Sequence, residues 1–261
     1  MKERSRNEPA GADLPAQDAT RREDDTRPPR ADCTGCRQRR GCLPQTLGED
    51  ELALFEAITQ PRRPLAAGRM VYRQGQPCRA LYALKAGSVK LTQVASDGSE
   101  TVFGFVFAPG ILGMGGIGGQ VYDSNAVALE HTAVCEIPFD ALCRLSEYVA
   151  PLQRSLLRVL SQAIGTEQKL AAVVATGSAT QRLVAFLLLL AAQNERRGLD
   201  PDRLLLPMSR GDIGNFLGLT LETVSRLLSR FARRRWIRVA RRDIALLDRA
   251  ALAAATADLR L

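Results

Sequence analysis

Apolar side chains follow different spacings in successive parts of this chain. From about Leu65 to Pro138 they come in short β-prone runs, Ala80 to Leu84, Ser88 to Val94 and Glu100 to Phe107, with turns at Gly87, Gly98 and Gly110. Short, regularly spaced strands with turn signals predict a β-barrel or sandwich rather than a parallel sheet. Pro138 closes the last strand, the period turns helical, and Pro151 suits the first turn of a long helix. Within that helix Leu157, Leu160, Ile164, Glu167, Ala171 and Val174 recur at spacings of 3, 4, 3, 4 and 3, the heptad seam by which two helices pack together. One seam position is a glutamate, which would face its own copy in a symmetric parallel dimer and leave association marginal. Gly177 and Ser178 punctuate the helix end, and a second helical run extends from Thr180 to Asn194.

The C-terminal part is patterned more finely. Ser209, with Asp212 three positions on, is close to a capping box, so a short helix is expected to run to Leu217. Gly218-Leu219-Thr220 gives a tight turn and Thr220 can cap the next helix, which together make a helix-turn-helix. On the second helix Leu221, Val224, Leu228 and Phe231 form the expected inward face, and Glu222, Ser225, Arg226 and Ser229 the opposite, polar face. Arg bonds guanine O6 and N7, Glu accepts from cytosine N4, and Ser serves either, so this face suits the major groove of double-stranded DNA. Arg230, Arg233, Arg234 and Arg235 are expected to make phosphate-type contacts. Trp236 to Ala240 and Ile244 to Leu247 flank a basic turn and predict a winged hairpin.

Charge sharpens the picture. The net charge is +8 over 261 residues, and eight arginines fall between Arg226 and Arg242, marking a polyanion-binding stretch. The segment through Arg30 is charged, Pro-rich and poor in apolar residues, so it is expected to be disordered. It lacks the apolar core of a secretory signal, and the run from Leu187 to Ala192 is too short to span a bilayer, so a cytoplasmic protein with no membrane partner is expected. No nucleophile–base pair, Gly-rich nucleotide loop or paired-carboxylate motif stands out, which argues against an enzyme. The single His131 leaves little material for histidine metal sites.

Six cysteines in a reducing compartment point to metal or redox chemistry rather than disulfides. Cys33-x2-Cys36-x5-Cys42 plus one distant cysteine suits four soft ligands around zinc or an iron–sulfur cluster, and spacing alone does not decide between them. Nor does it choose among Cys78, Cys135 and Cys143 as the fourth ligand. The basic run Arg37 to Arg40 is expected to lower the thiol pKa values.

Three stretches carry a family resemblance: the Cys33–Cys36–Cys42 triplet, Val134-Cys-Glu-Ile-Pro-Phe139, and Arg210-Gly-Asp-Ile-Gly-Asn-Phe-Leu-Gly-Leu-Thr-Leu-Glu-Thr-Val-Ser-Arg226. The chain, from roughly Asp32 to Leu261, resembles the FNR (fumarate and nitrate reduction regulator) branch of the CRP/FNR superfamily of bacterial transcription regulators. The resemblance implies an α+β fold: a cyclic-nucleotide-binding-like β-barrel (jelly roll), a long dimerisation helix and a winged helix-turn-helix. Expected boundaries are 1–32 for the tail, 33–150 for the cluster loop and barrel, 151–178 for the dimerisation helix and 179–261 for the DNA-binding domain. It further implies a [4Fe-4S] cluster on Cys33, Cys36, Cys42 and Cys135, which oxygen converts toward a [2Fe-2S] form and then apoprotein. The cluster-loaded protein would form a homodimer, bind TTGAT-N4-ATCAA-like palindromes with half-sites roughly 34 Å apart, and work with RNA polymerase, with activation the family default. Glu222, Ser225 and Arg226 match the family's base-reading positions, with Ser229 and Arg230 beside them, and Glu167 falls where repulsion keeps the clusterless protein monomeric. A zinc- or thiol-based redox regulator of the same fold is the alternative. Cyclic-nucleotide effector proteins carry a Gly-Glu turn and an Arg-Ser/Thr-Ala segment; here Gly113-Met114-Gly115 and Ser124-Asn125-Ala126 lack the Glu and the Arg, so no cyclic nucleotide is expected.

Overall fold

The computed structural model describes residues 31–256, so nearly all of the segment expected to be disordered lies outside the described residues. Two 3-10 turns, Arg39–Gly41 between Cys36 and Cys42 and Leu43–Thr46 just after Cys42, lead into α1 (Glu49–Ile58). The strands β1 (Gln60–Pro61), β2 (Met70–Tyr72), β3 (Ala80–Ala86), β4 (Ser88–Val94), β5 (Glu100–Phe107), β6 (Gly110–Leu112), β7 (Asn125–Ala128) and β8 (Ala133–Pro138) follow. They form two four-stranded antiparallel sheets, in the orders β1-β8-β3-β6 and β2-β7-β4-β5. This is the expected antiparallel barrel, and it ends where Pro138 ends the last strand.

β3 explains why its sequence is an apolar run instead of an alternation. Ala80, Tyr82 and Leu84 enter the barrel interior with Tyr72, Val89 and Tyr122, whereas Leu81 and Ala83 join a second core on the sheet's outer face. A strand buried on both faces has no polar side to show. The outer core is closed by α1, by α2 (Phe139–Tyr148) and by the first turns of α3 (Ala150–Thr176), through Phe55, Leu142 and Leu152. Nothing in the sequence pattern predicted α1, because it contributes only Leu52 and Phe55 as fully buried residues.

Ser178 starts α4 (Ala179–Arg196) with a reciprocal capping box: its Oγ accepts from Gln181 N at 3.3 Å, and Gln181 Oε1 accepts from Ser178 N at 2.8 Å. Beyond it lie β9 (Arg203–Leu205), α5 (Arg210–Leu217), α6 (Leu221–Arg233), the hairpin β10 (Ile237–Ala240) and β11 (Asp243–Leu246), and α7 (Arg249–Ala254). β9 adds a third strand to the predicted wing, pairing with β11. Leu183, Phe186, Leu187, Ile213, Leu228 and Phe231 anchor the core of this C-terminal unit.

The two units meet along β5, an edge strand of its sheet. The Asn215 side chain completes that edge: its Oδ1 accepts from Val102 N at 2.7 Å and its Nδ2 donates to Glu100 O at 2.8 Å. Phe216 packs edge to face on Phe105 and Phe186 behind it, and those two tilt against each other, with ring centroids 5.0 to 6.0 Å apart. Lys90 Nζ donates to Asp212 Oδ1 at 2.8 Å and to Glu100 Oε1 at 3.2 Å. Burial opposes charge on both Lys90 and Asp212, yet their mutual attraction and hydrogen bonds win, raising the lysine's pKa and lowering the aspartate's. A depressed carboxylate contributes stability above its unfolded pKa and loses it as the pH falls through the folded value; the lysine contribution fails only in strong base. We therefore expect the interface to loosen below about pH 4. The check is exchange of the Val102 amide with and without Lys90→Met; an acid limb of equal size in both proteins would refute the assignment.

Candidate functional site

Cys33, Cys36, Cys42 and Cys135 line one cavity of about 140 Å³, whereas Cys78 and Cys143 do not. A single water needs only about 15 Å³, so the space admits a group many times larger. The strand period explains the choice of Cys135. Val134 faces the barrel interior, so Cys135 and Ile137 face outward, into the same core as Cys33 and Cys42. Cys135 stands opposite Ala83 on one side and Pro61 on the other, and those small or flat neighbours leave room above it. Cys78 instead donates toward Gly113 O at 3.6 Å on the far side of the sheet, and Cys143 sits on α2 beside Asp140 and Glu147.

Burial pushes the Cys33 and Cys42 thiols up to about 12; Glu56, Asp32 and neighbouring thiols add to the rise at Cys33, whereas at Cys42 a backbone hydrogen bond at Leu43 opposes it and only the other thiols add to it. Burial also raises Cys135, against the pull of Lys85. The direction for these three thiols is therefore opposite to the lowering expected from Arg37 to Arg40, because burial is the largest influence on each. Three desolvated thiols with raised pKa values fit a soft metal group, whose positive charge would deprotonate them outright. As placed, no three His, Cys, Asp or Glu side chains among the described residues converge closely enough to hold a single metal ion.

The helix-turn-helix has the local geometry that its sequence predicts. Asp212 N donates to Ser209 Oγ and Ser209 N to Asp212 Oδ2, each at 3.0 Å, which starts α5. Gly218 adopts φ 63°, and a Cβ on Gly214 would lie 2.7 Å from Leu219 O, so both glycines are required where α5 meets the turn. Thr223 N donates to Thr220 Oγ1 at 3.2 Å and starts α6. The inward face is Val224, Leu227, Leu228 and Phe231; Leu221, expected there, is about half exposed because it sits in the first turn, beyond the edge of the core. Glu222, Arg226 and Ser229 are exposed and Ser225 half-buried, so the predicted polar face is open to solvent. Arg210 Nη1 donates to Ser225 Oγ at 3.2 Å, and Arg226 Nη2 to Thr223 Oγ1 at 3.4 Å. Arg230 is placed differently: half-buried, it donates to Thr180 Oγ1 at the start of α4. Arg241 and Arg242 sit exposed at the wing turn, where Arg241 has φ 56°.

Residues 181–255 match the model of the Crp-like helix-turn-helix domain, and residues 62–148 that of the Cyclic nucleotide-binding domain. The Fumarate and nitrate reduction regulatory protein of Vibrio cholerae is 36% identical over 84% of this chain and 88% of its own length. Electron transport regulator A of Shewanella oneidensis is 36% identical (83% and 86% covered), and Transcriptional activator protein anr of Pseudomonas aeruginosa 35% identical (84% and 90% covered). The chain belongs to the CRP/FNR family of transcription regulators. Among solved structures, FixK2 from Bradyrhizobium japonicum aligns at TM-score 0.68 and 25% identity, covering 76% of this chain and 96% of FixK2.

As a CRP/FNR protein the chain is a regulator and not an enzyme, and its helix-turn-helix is a DNA-binding module. On α3, the seam residues Leu157, Ile164, Glu167 and Ala171 are exposed, Leu160 is half-buried, and Val174 packs on the C-terminal core. In the barrel that matches the Cyclic nucleotide-binding domain, Tyr72 and Tyr122 stack at 3.9 Å between ring centroids and fill the interior beside Tyr82. Ser124, one of the positions where an effector protein's phosphate clasp would lie, donates to Asp123 Oδ1 at 2.9 Å. No described helix is long and apolar enough to cross a membrane. Sequence inspection missed Asn215, the Lys90–Asp212 pair and the Arg230–Thr180 bond, since each joins residues 50 to 122 positions apart.

Proposed function

We propose that the chain is an oxygen-responsive global transcription regulator that holds a [4Fe-4S] cluster on Cys33, Cys36, Cys42 and Cys135. It dimerises through α3 when loaded, and binds TTGAT-N4-ATCAA-like palindromes to activate or repress genes of anaerobic metabolism. The observation that carries this proposal is that these four thiols, and not Cys78 or Cys143, line one roomy cavity. Thiols spread around such a space suit a multi-iron group better than zinc, which needs four sulfurs about 2.3 Å from one point. The names of the relatives support the anaerobic setting. When bound, the cluster supplies an oxygen-labile inorganic core cross-linking the N-terminal loop to β8.

The chain's own residues give that link a path to the dimer seam. Phe55, Ala83 and Ile137 line the cavity and keep water from the thiols. Leu152 is buried in the same core as Cys33, and Leu156 and Val159 pack against it, so one face of α3 rests on the cluster loop's support. Thr46 and Ser155 hydroxyls, 3.1 Å apart, tie the segment after Cys42 to the same helix. The face carrying Leu157 and Ile164 is left for a second copy. Rotation or ordering of α3 therefore changes the seam as the loop is fixed or released. The stacked tyrosines in the barrel and the Asp123 carboxylate beside Ser124 support reading the barrel as a scaffold that takes no nucleotide. RNA polymerase is the partner on DNA.

Anaerobic purification tests the proposal. The expected product is a brown protein with four iron and four sulfide per chain whose broad visible absorption bleaches in air; colourless protein with stoichiometric zinc would overturn it. Replacing Glu167 with Ala should tighten aerobic self-association about tenfold by removing a like-charge pair. Sedimentation in air measures it, and an unchanged monomer–dimer equilibrium would sink the seam assignment.

A further inference from the structure

The N-terminal cysteine loop is held by two carboxylates. Glu56 Oε1 on α1 accepts from Cys33 N at 2.6 Å and from Thr34 N at 3.2 Å, and Asp32 Oδ1 accepts from Gly35 N at 2.9 Å. Three successive amides are thereby satisfied by side chains that are not ligands, and Cys36 N closes the turn onto Cys33 O at 3.3 Å. A Cβ on Gly35 would lie 2.8 Å from Asp32 Oδ2, so the turn and its carboxylate are tightly fitted.

From this geometry we infer that Glu56 is a positioning residue for the cluster: it aims Cys33 into the cavity and withdraws the Cys33 and Thr34 amides from the cluster's sulfurs. The inference rests on the cluster proposal for its functional meaning, although the hydrogen bonds stand without it. Glu56 is well placed for the role because its neighbours on α1 are anchored. Phe55 is buried in the outer core, and Thr59 Oγ1 donates to Phe55 O at 2.8 Å, so the helix is a fixed support reaching toward a loop that has no regular ladder of its own. Hydrogen bonds to cluster sulfurs are among the features that set an iron–sulfur potential and its stability. Freeing two amides would change both the aim of Cys33 and that bonding pattern.

The test uses the full chain with Glu56→Ala and Glu56→Gln, each first shown to retain the wild-type thermal transition. The glutamine is isosteric, and its Oε1 can accept both amides without the charge. In metal-free protein under native conditions, the rate at which thiols react with dithionitrobenzoate should rise for Glu56→Ala and stay near wild type for Glu56→Gln. In anaerobically loaded protein, the decay of visible absorption in air should quicken about tenfold for the alanine variant, the scale on which residues supporting metal ligands act, and recover with glutamine. Equal thiol reactivity in all three proteins overturns the inference, as does a glutamine variant that behaves like alanine in both assays. If wild-type protein takes up no cluster, the oxygen-sensing proposal fails, while the thiol-reactivity comparison still decides whether Glu56 positions Cys33.

Discussion

Cys135→Ala is expected to abolish cluster retention altogether, while Cys143→Ala keeps a full complement of iron and sulfide. Both cysteines are half-buried and both have pKa values raised by burial, so neither exposure nor acidity separates them. What separates them is direction. The β8 pleat sends Cys135 to the outer face of its sheet, into the cavity with Cys33, Cys36 and Cys42. Cys143 lies on α2 and does not line that cavity, so its removal is expected to cost no ligand. Loss of one thiolate from four leaves an iron without a protein ligand and an opening to solvent. Iron and sulfide assays on anaerobically purified proteins decide the matter; equal loss in both variants would show that the ligand set has been misassigned. The fold itself should tolerate the Cys143 change, which removes one half-exposed sulfur and belongs to the range of about 0.5 kcal/mol typical of surface substitutions.

The second large effect is expected at Arg226. Its guanidinium is exposed on the open face of α6 and held only by a long bond to Thr223. A bidentate arginine–guanine contact is worth about 1–3 kcal/mol of discrimination, so Arg226→Ala should cut affinity for the palindrome by roughly tenfold or more while barely changing nonspecific binding. Arg233→Ala, further along the same helix and also exposed, should weaken specific and nonspecific binding alike and reduce the salt slope by about 0.9 if it meets one phosphate. Titrations of a constitutively dimeric background at several salt concentrations separate the two. If Arg226→Ala weakened all DNA equally, base reading by this residue would be ruled out. Arg230 differs from its neighbours in the basic stretch, because it is half-buried and its guanidinium donates to Thr180 at the start of α4.

Much of the C-terminal unit could be read directly from the chain. The boundaries of α5 and α6 fall where Ser209, Gly218 and Thr220 place them, because caps and left-handed turns are decided by residues within three or four positions of one another. The strands from Ala80 to Phe107 were legible for the same local reason. Leu221 was misplaced because period alone does not say where a core ends. The thiol pKa values went the other way from expectation because burial is a tertiary property, and nearby arginines in sequence say nothing about desolvation.

By itself, then, the sequence determined the helix-turn-helix, the antiparallel barrel and the close spacing of the Cys33–Cys36–Cys42 triplet, all of which depend on short-range stereochemistry. The tertiary structure decided which distant cysteine shares a cavity with that triplet, since a strand's pleat gives each residue a face but only packing says what covers it. It also decided how the two units meet, through Asn215 on the edge of β5 and Lys90 on Asp212, and which carboxylate holds the cysteine loop. Those contacts join residues 23 to 122 positions apart. No local period encodes such pairings, which exist only once loop closure and core burial have brought the elements together.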